Sequence, residues 1–343
     1  MTMEEFFEKK LLEDKKYLRY NFLKKRNKVN IYEKVIEKVV FLAGISTIVF
    51  VALIVSYLLY ESIPFFMKNN ILDFLFGTVW NPASPNKPSY GIVPLVYGSL
   101  LVTSLALIID VPLGLASAIY ISYVASKKER EILKPLIELL AGIPSVIYGF
   151  FALVILASVL QNFLNLEYRL NAFNGAIIIA VMALPTIISI SEDSITFVPK
   201  SYYEAALALG SSKWESIIKV IVPSAKSGII ASIMLGFGRA IGETMAVIMA
   251  TGNSPQILFN IFAPIQTLTS PPALEMGEVA FGSEHYHALF AVCLVLFLIT
   301  LAINLLSGLL TTSLQHKISQ VAKKKPGLYE KLKKFKTGGA HDQ

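Results

Sequence analysis

SGIIASIMLGFGRAIGETMAVIMAT, from Ser227 to Thr251, is 25 residues long and carries only two ionisable side chains, Arg239 and Glu243. About 20 apolar residues in a helix cross the hydrocarbon core of a bilayer, so this stretch reads as a transmembrane span. An ionised side chain near the middle of a span costs roughly 2.5–3.5 kcal/mol on insertion scales. Two of them in one span therefore mark a functional site.

Five more stretches have the same character: Val39 to Tyr60, Val93 to Ala125, Leu136 to Leu160, Ala172 to Ser191 and Ala288 to Thr312. The whole chain is 54% hydrophobic and only 16% charged, against about 25% charged for a soluble domain. These features predict an all-α, polytopic membrane protein with six transmembrane helices. The first span follows a charged tail, residues 1–38, so it reads as a true span rather than a cleavable signal peptide.

The net charge of +7 is distributed by loop. Eleven Lys and Arg precede the first span, four lie in 126–135, four in 192–226 and eight after 312, while 61–92, 161–171 and 252–287 hold two, one and none. This positive-inside pattern places both termini and the even-numbered loops in the cytoplasm. It makes anionic lipid, not nucleic acid, the partner of the charge. The expected organisation is a basic cytoplasmic tail at 1–38, a first span at 39–60, an extracytoplasmic loop at 61–92, a five-helix core at 93–312 and a second basic tail at 313–343. Phe7, Leu11, Leu18 and Phe22 give the first tail an apolar periodicity suited to a surface helix, against the plainer reading of a solvated tail. The outer loop at 61–92 is rich in proline and reads as an exposed platform; the one at 252–286, also rich in proline, is longer than a simple connection and reads as functional.

Cys293 is the sole cysteine, so no intrachain disulfide forms. His285 and His287 share a loop but are two apart and would not face the same way on a helix; no metal site is expected.

The loop after the fourth span is punctuated residue by residue. Ser201-Tyr-Tyr-Glu204 and Ser212-Lys-Trp-Glu215 both have capping-box spacing. Gly210 between them supplies the left-handed conformation that ends a helix, and Pro223 closes the unit. Residues 199–223 are thus two short helices joined at a glycine, a rigid elbow suited to docking.

The elbow contains Glu204-Ala205-Ala206, three residues, Gly210, nine residues, and Val220-Ile221-Val222-Pro223. It resembles the EAA motif of ABC-transporter permeases, departing only by the conservative Val220 and Val222. The resemblance implies a MetI-like permease core in which Glu204, Ala205, Ala206, Gly210 and Pro223 couple to a cytoplasmic ATPase. Gly238-Arg-Ala-Ile-Gly-Glu-Thr-Met-Ala-Val247 further resembles the GRAxGETMAV segment of phosphate-specific permeases of the PstC type, as do Val111-Pro-Leu-Gly114, Gly142-Ile-Pro-Ser-Val-Ile-Tyr-Gly149 and Leu184-Pro-Thr186. That likeness implies a homologous PstA-like permease, two copies of a PstB-like ATPase and an extracytoplasmic PstS-like phosphate-binding protein as partners. The chain has no G-x-x-x-x-G-K-[ST] loop; it is expected to hold no cofactor and be no enzyme itself, ATP being used by the partner. The sister PstA type, or a permease for another oxyanion, is the nearest alternative. An intramembrane enzyme acting through Asp110 and Glu243 lacks a nucleophile or metal constellation, and a passive channel has no need of the elbow.

Arg239 lies 12 residues beyond Ser227, roughly 18 Å along a helix, near the midplane. Its guanidinium presents fixed donors that grip two oxygens of a phosphate, and it is the first candidate for substrate binding. Glu243, at i+4, shares its face in a continuous helix, although Arg before Glu is the weaker order for such a pair. Two readings of Glu243 stand: a salt-bridge partner that orients Arg239, or an acceptor for the proton of hydrogen phosphate that discriminates against sulfate. Asp110 beside Pro112 is a further candidate, paired with Arg239 or Tyr148 or facing water. Gly238 and Gly242 have GxxxG spacing for helix packing.

Overall fold

The computed structural model describes residues 3–324 as backbone and 33–309 with side chains. The end of the basic C-terminal tail and the side chains of the N-terminal tail lie outside the described residues. Two units are separate. Residues 1–60 carry most of helix α1, Met3–Lys68, whose apolar side chains from Val35 to Tyr60 are largely exposed, as a helix surrounded by lipid requires.

The second unit begins at Glu61. After α2 (Ile71–Phe76), a two-residue hairpin pairs β1 (Trp80–Asn81) with β2 (Ser89–Tyr90). Phe65, Phe74 and Trp80 are buried beneath it with Leu268 and Leu289. The base of the loop at 61–92 is thus packed, while its proline-bearing tip, with Pro85 and Pro88, is exposed.

Then come α3 (Val93–Ile119), running on through a π-turn at Tyr120–Val124, and α4 (Lys127–Ala141). Next are α5 (Ser145–Phe151), a π-turn at Ala152–Leu156, α6 (Ala157–Leu164) and α7 (Ala172–Thr196). The elbow holds α8 (Lys200–Ala208), α9 (Lys213–Ser216), a π-turn at Ile217–Ile221 and α10 (Val222–Ser224). The chain ends with α11 (Lys226–Ile241), α12 (Met245–Thr251), α13 (Ser270–Glu275) and α14 (Glu284–Lys324).

Five of these stretches are long and apolar enough to cross a membrane, and a sixth is counted if 213–224 and 226–241, bent by 70°, are taken together. Two spans differ from the sequence reading. The third begins at Ser145, because Gly142 and Pro144 separate it from α4, an amphipathic helix with a Ser126/Glu129 capping box. The fifth is broken: α11 stops at Ile241, Gly242 is its C-cap, and α12 starts afresh at Met245. The third outer loop is partly folded into the molecule. Its residues Ala263 and Ile265 to Ser270 are buried and fold back into the core, where Leu268 N donates to Ser99 Oγ at 2.8 Å.

The core is three helices in register. Val102 lies against Gly175 and Gly114 against Ile187, so α3 and α7 run parallel with a constant offset. Ser191 and Ser232 are hydrogen bonded at 2.6 Å and Gly236 lies against Ile187, so α11 runs antiparallel to α7. A Cβ at Gly236 would fall 2.7 Å from Ile187 Cγ1, whereas one at Gly238 would meet only Asn304 Oδ1 at 3.5 Å. Within this chain the close-packing glycines of α11 are Gly228 and Gly236, while Gly238 and Gly242 make only ordinary contacts.

Extending that register sets Pro112 level with Pro185. Each proline lacks an amide hydrogen and so leaves the carbonyl four residues back without its helical donor: Ile108 on α3 and Val181 on α7. The same register puts Gly242, the end of α11, at the level of Val181. Three adjacent helices thus have their ladders interrupted in a single plane.

Candidate functional site

The interruption carries the charged residues. Arg239 occupies the last turn of α11, where the unpaired carbonyls of a helix C-terminus favour a cation. Glu243 lies just before α12, and its Oε1 accepts from Ala246 N at 3.4 Å, where a helix N-terminus favours an anion. Each charge has a helix end of its own.

Glu243 consequently does not share a helical face with Arg239, and no ion pair joins them among the described residues. The salt bridge expected from i, i+4 spacing is absent because the helix ends between the two residues. Arg239 is exposed on this chain, and Nη1 donates to Thr186 Oγ1 at 3.2 Å. Ile179, Met182, Ala183 and Glu243 line the adjoining crevice.

Asp110 is completely buried, and neither carboxyl oxygen has a hydrogen-bond partner among the described residues. Its expected pairings are not formed: Tyr148 donates instead to Leu140 O at 2.9 Å, and Arg239 bonds Thr186. Leaving a buried polar group unmet costs about 1–3 kcal/mol even without a formal charge. The register sets Asp110 level with Ala183, hence level with Ala240.

Residues outside the sequence candidates brace the two ends of α12. Thr269, on the re-entrant part of the third outer loop, donates to Glu243 O at 2.9 Å, and Asn174 Nδ2 donates to Ala250 O at 2.9 Å. No sequence pattern marks Thr269, because it reaches back to Glu243 from 26 residues along the chain. At the other end of α7, Glu192 is 2% exposed and receives Arg130, Lys134 at 2.8 Å, and Thr196 at 3.2 Å. The hydrogen bond to Glu192, with the carboxylate charge beside it, raises the pKa of Lys134. Arg130 and Lys134 are four apart on α4 and so share a face, which was the available signal.

At the elbow, Gly210 has φ +88°. The Ser212/Glu215 capping box is formed. The one anticipated at Ser201/Glu204 is not: α8 starts a residue earlier, after Pro199, without a side-chain cap. Leu209 and Phe197 are 87% and 86% exposed, with Tyr202 and Trp214 also on the surface. An open groove of about 780 Å³ under the elbow is lined by Phe197, Tyr202, Lys219 and Pro223.

His285 Nε2 lies 2.7 Å from Glu275 Oε2 and His287 Nδ1 2.8 Å from Glu61 O, so the two histidines serve separate contacts.

The profile of the binding-protein-dependent transport system inner membrane component family matches residues 110–320. The chain belongs to this family. It is a non-catalytic, multi-pass membrane subunit of the ABC permease type and is PstC-like. It is 39% identical over 249 residues to the probable ABC transporter permease protein YqgH of Bacillus subtilis, covering 71% of this chain and 80% of that protein. It is 35% identical over 250 residues to the phosphate transport system permease protein PstC of Mesorhizobium japonicum, covering 67% and 75%. The fold is shared with the MetNI methionine ABC transporter, with a TM-score of 0.51 at 14% identity over 65% of this chain and 95% of that one.

Proposed function

We propose that this permease is the PstC-like membrane subunit of an ATP-driven importer for inorganic phosphate. The observation that carries the reading is Arg239, a fixed cation in the middle of the membrane-spanning core that has no carboxylate partner among the described residues and sits at a helix break. A guanidinium so placed supplies charge and two parallel donors to a tetrahedral oxyanion stripped of water. The names of the relatives support phosphate as that anion. Glu243, three residues from α12's second amide donor, is the second candidate ligand, accepting the proton of hydrogen phosphate.

In this reading the pathway forms between the chain and a homologous PstA-like permease. The elbow faces the cytoplasm with both termini, and Glu204, Ala205, Ala206, Gly210 and Pro223 dock it on one of two PstB-like ATPase copies. The exposed Leu209, Tyr202 and Trp214 supply the apolar area such a contact needs. A PstS-like binding protein delivers phosphate from the opposite face, and ATP is consumed only by the ATPase.

Reconstitution of all four components in liposomes tests this. Labelled phosphate uptake is expected to require ATP and to fall at least about 30-fold in Arg239→Ala, as for a truncated desolvated charge contact. In Glu243→Gln, sulfate should compete more effectively. ATP-independent uptake overturns the importer reading, uptake undiminished in Arg239→Ala overturns the site, and unchanged sulfate competition removes Glu243 as the reader of the proton.

A further inference from the structure

Asp110 and Arg239 lie at one depth on adjacent helices without touching. Ala106 and Ala240 belong to one packed cluster, with Ile109 against it. Asp110 is one turn beyond Ala106, on the same face of α3, and Arg239 immediately precedes Ala240 on α11. Successive helical residues are about 100° apart. A rotation of α11 by one residue therefore replaces Ala240 with Arg239 at the position facing α3.

The rotation gives up the Ser191–Ser232 hydrogen bond and the seat of Gly236 against Ile187, so it defines a distinct conformation, and three features favour it. α11 ends at Ile241, so its turning is not passed rigidly to α12. Pro112 and Pro185 weaken the flanking ladders in the same plane. Nothing ties the guanidinium strongly to its present place: its hydrogen bond among the described residues is one neutral hydroxyl, at 3.2 Å. The carboxyl group of Asp110, wholly buried and without a partner, is the complementary vacancy in hydrogen bonding.

We propose that Asp110 is the internal acceptor for the Arg239 guanidinium in the permease's alternate conformation, taking the place of the transported anion when the site empties. The proposal rests on reading Arg239 as the anion-binding group. A guanidinium abandoned by its anion in a low-dielectric interior needs another partner, and a carboxyl group offers the same two-oxygen face as a phosphate. Competition from Asp110 weakens the hold on the anion at the stage where it must leave. Asp110 is thus a positioning residue that acts through Arg239, not a ligand of the substrate.

The test uses the assembled importer and dicyclohexylcarbodiimide, an apolar reagent that modifies buried protonated carboxyl groups lacking a cationic partner. Modification at Asp110 is read by peptide mass in nucleotide-free and vanadate-trapped complexes. The two states should differ by about tenfold, in the range of a coupling between two groups. The difference should vanish in Arg239→Gln and persist in Arg239→Lys, with intact assembly of both checked by size exclusion. Equal modification in the two states, none in either, or a difference that survives Arg239→Gln overturns the proposal. These outcomes do not depend on the transported species: failure of phosphate uptake by the unaltered importer would remove the substrate assignment and leave the labelling result standing.

Discussion

The molecule has two joints built around glycine, one at Gly210 in the elbow and one at Gly242 in the core, and their chemistries are opposite. Gly210 has φ +88° and open space where a Cβ would project; the conformation is set by the backbone alone. Gly242 has φ −88°, which any residue adopts, and a side chain from outside the span braces the break: Thr269 donates to the carbonyl of Glu243, beside a local bond from Thr244 Oγ1 to Gly242 O. An exposed joint with few neighbours must be written in its own residues. A joint braced by another segment can be imposed by a distant residue.

The largest effect is expected at Gly210. Gly210→Val forces a β-branched residue into the left-handed region, at a cost of about 2 kcal/mol. Amide exchange across 200–216 should then accelerate about 30-fold, since 1.4 kcal/mol is a factor of ten in the opening equilibrium, while the core amides of α7 remain unchanged. The ATP-coupled uptake assay should fall in parallel. Unaltered exchange would mean that the elbow, too, is held by contacts from elsewhere.

This difference also explains what was legible in the sequence. The elbow could be read because Gly210, Ser212 and Glu215 act on their immediate neighbours, and only the Ser201 cap failed, displaced by Pro199. The apolar lengths located the spans for the same reason. The broken fifth span was not legible: residues 227–251 are apolar apart from Arg239 and Glu243, and Thr269, which donates to the Glu243 carbonyl at the break, lies far along the chain. One local sign was present. Arg239 before Glu243 is the weaker order within a helix, but across a break it sets a cation at one helix's C-terminus and an anion at the next one's N-terminus. Asp110's isolation had no such sign, because burial without a partner is a property of packing.

A smaller effect is expected where the core joint is held. Thr269→Val retains the shape of the side chain and deletes its hydrogen bond to Glu243 O, a loss of about 1 kcal/mol. Exchange at the amides of 243–247 should rise about fivefold, the factor that free energy implies, and elbow amides should not respond. A response spread through the elbow would show the two joints to be one cooperative unit.

The smallest effect, and the sharpest discrimination, is expected at Gly242 itself. If this glycine made the break, Gly242→Ala would let α11 run on into α12, draw Glu243 onto the face of Arg239 and pair the two charges. The backbone there already lies in a region alanine favours, and a Cβ would meet nothing closer than Gly238 O at 3.6 Å. The variant should therefore change stability by less than about 0.5 kcal/mol, as an unstrained substitution does, with the break preserved. Spin labels on α11 and α12 of the assembled importer measure this directly, since a continuous helix would straighten the two segments onto one axis. Straightening would assign the joint to its glycine after all, and the contrast with Gly210 would disappear.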